Sequence, residues 1–64
     1  MNNNSVHTEK ELMLIKDELD AETLSIKKLN DYKNDVGDPE ILTIMDTMIE
    51  KHKDHYNRLL NHLR

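Results

Sequence analysis

The sequence predicts an all-α fold, an antiparallel two-helix hairpin that forms a four-helix bundle by homodimerisation. Two long stretches carry apolar residues at spacings of three and four, as expected for helices that each bury one stripe. Between them lies Gly37-Asp38-Pro39, and so short a connection makes the helices antiparallel neighbours. No alternation typical of a strand is present in the sequence.

The first helix is predicted to run from about residue 9 to residue 36. A polar lead, residues 1–7, precedes it and is expected to be disordered, which leaves residues 8–64 as a single domain. Thr8 and Glu11 have the spacing of a capping box, in which each side chain binds the other residue's backbone N–H. Gly37 is expected to end this helix in the left-handed backbone conformation.

The second helix is predicted to run from about residue 39 to residue 63. Asp38 is a favourable N-cap residue, and Pro39 suits the first helical position because its missing N–H has no partner there. Ile26 and Leu59 lie in the middle of the apolar stripes and are expected to be buried. The residues expected on the stripes are Leu12, Ile15, Leu19, Ile26 and Leu29 in the first helix and Ile41, Leu42, Met45, Met48, Ile49, Tyr56, Leu59, Leu60 and Leu63 in the second.

The small size of the chain predicts a homodimer. A chain of 64 residues buries only about 60% of the surface that its unfolded form exposes, so its stability is marginal. Small domains are often stabilised by disulfides, but this chain has no cysteine. A second copy, a metal ion, or both are then expected to stabilise the fold.

Composition and charge argue against several classes of function. The net charge of −4 comes from 13 acidic and 9 basic residues that are interspersed, without a basic patch, so nucleic-acid binding is not expected. The longest apolar run, residues 12–15, is far too short to span a membrane. Residues 1–8 lack the features of a secretion signal, which predicts a cytoplasmic protein when it is made. No nucleophile has a supporting His and Asp, so we do not expect catalysis of the hydrolase type.

Three polar residues interrupt the apolar stripes at one level of the predicted hairpin. Glu22 occupies a stripe position in the first helix, and His52 and His55 occupy stripe positions in the second. In a hairpin that turns near Gly37, residues whose numbers sum to about 75 lie level with one another. Glu22 is therefore expected to lie opposite the two histidines.

This layer admits three interpretations. The first is a structural Glu–His ion pair, or a polar layer that sets the register of a dimer, because a buried carboxylate needs a partner. The second is a divalent metal site, with zinc or iron bound by Glu22, His52 and His55 from both copies, and with Glu18 as a further candidate ligand. The third is that the helices tilt, so that Glu22 or His55 reaches solvent and has no role.

Four segments of the chain carry a resemblance to a known family: Asp17–Glu22, Ile26–Tyr32, Asp38–Glu40 and Glu50–Tyr56. Together they resemble the coat F family of spore coat proteins, which belong with the ferritin-like and rubrerythrin-like helical proteins. The resemblance extends over about residues 11 to 63 and covers one hairpin, half of a ferritin-like fold that normally contains two.

The resemblance implies a bundle protein with a role in the spore coat, where other coat or assembly proteins are expected partners. In the wider superfamily, each hairpin offers a Glu from its first helix and a Glu-x-x-His motif from its second. Glu22 matches the first of these and His55 matches the motif histidine, whereas His52 stands where the motif has its Glu. An aromatic residue frequent in the first helix is replaced by Leu29. A histidine-rich set of this kind suits zinc better than iron.

The sequence therefore favours a structural or assembly function, with two alternatives. One alternative is a metal-binding bundle that uses the Glu22, His52 and His55 layer. The other is a regulatory helical hairpin that docks on a signalling protein. The small sporulation phosphatases of that kind carry a Ser-Gln-x-x-x-Asp signature on the second helix, and residues 39–64 lack it.

Overall fold

The structure is a computed structural model that describes residues 7–63, and these residues form two α-helices. Helix α1 spans Glu9–Lys33 and helix α2 spans Pro39–His62. Contacts between His7 and His62 at one end, and between Lys33 and Asp46 at the other, make the helices antiparallel. The predicted helical hairpin is confirmed. The segment 1–7 that was expected to be disordered lies, apart from His7, outside the described residues.

Both helices begin where the sequence predicts, because side chains bind their first free N–H groups. At α1, the Thr8 hydroxyl accepts a hydrogen bond from the Glu11 backbone N–H at 3.0 Å, and the Glu11 carboxylate accepts one from the Thr8 N–H at 2.7 Å. At α2, the Asp38 carboxylate accepts hydrogen bonds from the backbone N–H groups of the second and third helical residues. The start of each helix is thus determined locally.

The end of α1 differs from the prediction. The helix stops at Lys33, three residues early, and its last turn tightens into hydrogen bonds from Asp35 N–H to Tyr32 O at 3.0 Å and from Val36 N–H to Lys33 O at 3.3 Å. Gly37 does not have a positive φ, so the expected left-handed termination is wrong. The chain leaves the helix through these short-range bonds instead, and a glycine is not required at position 37.

The seam between the helices contains a very small core. Among the described residues, the buried apolar side chains are Met45 and Ile49 of α2, and the buried residue of α1 is Glu22. Ile26 and Leu59, which were expected to be buried, are only half-buried. Two helices cover each other along one line, so residues at the margins of that line keep part of their surface in water.

Much of the apolar surface remains exposed in the single chain. Leu12, Ile41, Met48 and Leu63 were all assigned to apolar stripes, yet each has more than 40% of its surface accessible. The stripes are wider than one neighbouring helix can cover. The large apolar side chains left exposed are Leu12, Met13, Leu14, Leu24, Tyr32, Ile41, Ile44, Met48 and Leu63.

The hairpin is long and thin, with extents of 52 × 15 × 10 Å. An ion pair between Lys33 and Asp46 joins the helices at the turn. Neither helix is long and apolar enough to cross a membrane, judged on residues 7–63.

Candidate functional site

The candidate site is the polar layer in the middle of the helix seam. Glu22 lies near the midpoint of α1, and His52 and His55 lie one turn apart on α2. Residues three apart on a helix point to the same side, so both rings can reach the same partner on the opposite helix. The structure brings together the three residues that the sequence predicted to be level.

Each oxygen of the Glu22 carboxylate binds a different histidine. Nδ1 of His52 contacts Oε1, and Nδ1 of His55 contacts Oε2. Glu22 is only 7% exposed, whereas the side chains of His52 and His55 are 33% and 52% exposed. The carboxylate is thus covered by the two rings, and the rings themselves reach the surface.

Electrostatics keep Glu22 ionised at neutral pH. The hydrogen bond from His52 lowers the pKa of the Glu22 carboxyl from its ordinary value of 4.5, and the hydrogen bond from His55 and the charges of both rings act in the same direction. Burial opposes them by raising the pKa, but the net shift is downward. An ionised carboxylate offers acceptors on both oxygens, which is what two N–H donors need.

This geometry corresponds to the first interpretation of the layer, a Glu–His pairing, extended to two histidines. Within residues 7–63, no buried side-chain nitrogen or oxygen lacks a hydrogen-bond partner. The third interpretation does not describe Glu22, which is buried and bound on both oxygens. His55 keeps about half of its side-chain surface accessible and nevertheless contacts the carboxylate.

The metal interpretation stays a prediction. In the described part of the single chain, no group of three or more His, Asp or Glu side chains is arranged to hold a metal ion. Both oxygens of Glu22 already accept hydrogen bonds from the rings, so ligation by Glu22 would compete with these contacts. Glu18, the further candidate, is exposed and forms neither an ion pair nor a hydrogen bond with either histidine.

Sequence reasoning missed one contact at the open end of the hairpin. Nε2 of His7 donates a hydrogen bond to the His62 carbonyl oxygen at 2.8 Å, so the residue before the α1 cap joins the last turn of α2. Helix C-termini leave carbonyl oxygens without helical partners, and a histidine N–H is a suitable donor. His7 lies in the polar lead, which has no apolar periodicity, so the helical pattern could not predict this contact.

The chain was compared with models of known protein families, with curated proteins and with solved structures, and none of them matches it. The likeness to the coat F family therefore stays a resemblance of the four segments named above.

Proposed function

We propose that this protein is a small structural or assembly protein of the ferritin-like, spore-coat kind, which acts as a homodimeric four-helix bundle. The observation that supports it best is the imbalance between buried and exposed apolar side chains. Met45 and Ile49 are buried, while nine large apolar side chains are exposed over residues 7–63.

A single hairpin with this core is poorly stabilised. Among residues 7–63, Met45 and Ile49 are the buried apolar side chains, and the other apolar residues of the seam keep part of their surface in water. So little full burial leaves the conformational entropy of the two ordered helices poorly offset. Pairing with a second copy would move exposed leucine, isoleucine and methionine side chains out of water. Four helices packed around one core form a common stable arrangement.

The polar layer supports a structural role more than a catalytic one. Glu22, His52 and His55 satisfy one another, and no nucleophile lies in this contact. A buried polar layer of this kind favours one alignment of the helices, because a shifted register would leave the carboxylate without its partners. In the proposed bundle, the layer specifies alignment while the apolar surface supplies the association energy.

The mass of the protein in solution tests this proposal. At micromolar concentration, light scattering should report about twice the 7.6 kDa of one chain, and dilution should lower the helical circular dichroism signal and the mass together. A mass of one chain with full helicity at every concentration would contradict the proposal.

A divalent metal site is a second candidate, and the way the rings are held favours it. A metal-binding histidine commonly donates one ring N–H to a carboxylate and binds the metal through the other nitrogen. Both Nδ1 atoms contact Glu22, which leaves Nε2 of His52 and His55 outside that contact. Glu22 would then orient the two ligands rather than bind zinc or iron itself, and the second copy would complete the set.

Thermal melting with added zinc or iron tests this candidate. A bound metal should raise the melting temperature, and His52→Ala should abolish the rise. His62→Ala is the matched control, since His62 is an exposed histidine of the same helix outside the Glu22 contact. An unchanged melting temperature and no heat in a zinc titration would eliminate the metal site without affecting the dimer.

A further inference from the structure

The hairpin has two broad faces, and they differ in composition. Each face measures about 52 × 15 Å and combines one flank of α1 with one flank of α2. Residues 3, 4 or 7 apart on a helix share a flank, which allows each exposed side chain to be assigned. We call the two surfaces the His55 face and the Lys53 face, after one residue of α2 on each.

The His55 face carries most of the exposed apolar side chains. On α2, Ile41, Ile44, Met48 and His55 follow one another at spacings of three, four and seven. On α1, the corresponding flank carries Leu14, Ala21, Ser25 and Tyr32, at spacings of seven, four and seven. Leu14 and His62 line the same depression, and His62 is seven residues from His55, so these two flanks form one surface.

The exposed side chains of the Lys53 face are mainly polar. Thr23 of α1 and Lys53 and Asn57 of α2 line one groove there, together with the half-buried side chains of Ile26 and Tyr56. Asp46, seven residues before Lys53, continues this flank and pairs with Lys33. Among residues 7–63, nine large apolar residues are exposed, and five of them lie on the His55 face: Leu14, Tyr32, Ile41, Ile44 and Met48. Leu12 lies on the Lys53 face, because it is eleven residues, or three helical turns, before Thr23.

The back of α1 carries two further exposed apolar residues. Leu24 lies two residues after Glu22 and therefore on the opposite side of the helix from the seam. Met13 is eleven residues, or three turns, from Leu24 and lies on the same line. With Asp17 and Asp20 between them, they do not form a continuous apolar surface.

We propose that a second copy of this chain packs on the His55 face; this inference rests on the proposed homodimer. The broad face spans about 52 × 15 Å, which is large enough for the roughly 800 Å² of accessible surface that each partner buries in a stable interface of standard size. Pairing two His55 faces around a twofold axis would bury Leu14, Tyr32, Ile44 and Met48 against their counterparts. The Lys53 faces and the back of each α1 would remain in solvent.

The same pairing would complete the polar site. His55 has 52% of its side chain accessible in the single chain, and the proposed partner covers this side. The Glu22 contacts would then lie inside the bundle rather than at its surface. Glu18 and Lys28 lie on the same flank of α1, four residues after Leu14 and seven residues after Ala21. They supply charges of opposite sign that two copies can pair at the margin of the interface.

Charged substitutions matched for exposure test the choice of face. Ile44→Glu and Met48→Glu place a charge on the His55 face, at residues that are 53% and 42% exposed in one chain. Leu24→Glu and Leu12→Glu are the controls, at 51% and 43% exposure on the back of α1 and on the Lys53 face. Sedimentation equilibrium should show the first two variants with dimer affinity weakened by about tenfold or more and the controls near the wild type.

Thiol accessibility provides a second measurement that does not depend on a disruptive charge. In Met48→Cys, the thiol should react with a maleimide several-fold more slowly than in Leu12→Cys, although the two sites have similar exposure in one chain. If the two thiols reacted at equal rates in the dimer, the proposed face would be wrong although the dimer itself would not be in question. The same conclusion would follow if the Leu12→Glu variant dissociated and the Ile44→Glu variant did not. A monomeric wild type would overturn both.

Discussion

The two helices are nearly equal in length but contribute different chemistry to the seam between them. Helix α2 contributes the apolar core residues Met45 and Ile49, and helix α1 contributes the buried carboxylate Glu22. Apolar contact is non-directional and does not depend on pH, whereas Glu22 needs the two histidines of α2 in one alignment. The apolar contact therefore tolerates small shifts of one helix along the other, whereas the contacts of Glu22 require one alignment.

Local interactions stabilise α1 as a helix but do not determine where it packs. Besides the capping box, α1 has the exposed ion pairs Lys16–Asp20 at 2.8 Å and Lys27–Asp31 at 3.2 Å. Because both partners of each pair lie in solvent, such pairs contribute little to stability. The position of α1 against α2 thus depends on the seam, and substitutions there should have the largest effects.

The largest loss of stability is expected from truncating a buried apolar side chain of the seam. Ile49→Ala should lower the free energy of unfolding by about 2–5 kcal/mol, because it leaves a cavity at a buried position. Ile26→Ala and Leu59→Ala should cost less, since both side chains are half-buried. Urea denaturation at one fixed protein concentration measures all three, and an equal loss at all three sites would contradict the unequal burial.

The next effect is expected from the polar side of the seam. Glu22→Gln should lower the free energy of unfolding by about 1.5–3 kcal/mol, because an amide has one acceptor oxygen and cannot accept from both rings. Glu18→Gln is the matched control, one turn away and exposed, and should change stability by less than about 0.5 kcal/mol. Similar losses in both variants would mean that the Glu22 contacts do not stabilise the seam.

The contribution of Glu22 should also depend on pH. The folded protein lowers the pKa of this carboxyl below 4.5, so the stabilisation is complete above that pH and is lost as the pH falls toward the folded-state pKa. Stability curves of the wild type and Glu22→Gln should therefore converge below about pH 4.5. Glu11, whose pKa is lowered mainly by the hydrogen bond from the Thr8 backbone, is present in both proteins and cancels in this comparison. If the two stability curves stayed parallel through the acid range, the pH dependence could not be attributed to Glu22.

The smallest effect is expected from the helix caps. Thr8→Ala should cost about 1 kcal/mol, since it removes the hydroxyl that binds the Glu11 N–H of α1. Asp38→Ala should cost a similar amount at α2. Equilibrium denaturation distinguishes these losses from the larger seam effects. A loss at either cap as large as that of Ile49→Ala would mean that local structure, rather than the seam, limits stability.

The level of the polar layer could be predicted from the sequence, whereas its hydrogen-bond geometry could not. The hairpin register follows from the short connection and the helical repeat, so Glu22, His52 and His55 could be placed at one level from their numbers alone. The repeat does not reveal how the rings turn. Each carboxylate oxygen binds the Nδ1 atom of a different ring. This arrangement depends on the distance between the two helices and on the angle at which they cross.

Local sequence specifies the two helices and their starting points, since Thr8, Asp38 and Pro39 act on backbone groups within three residues. The helical repeat and the short connection specify the level of the polar layer. Only the packing of the two helices determines that Ile26 and Leu59 are half-buried and that Ile44 and Met48 are left exposed. Helical periodicity identifies an apolar side, but which part of it is covered depends on the narrow contact between two cylinders that pack along one line.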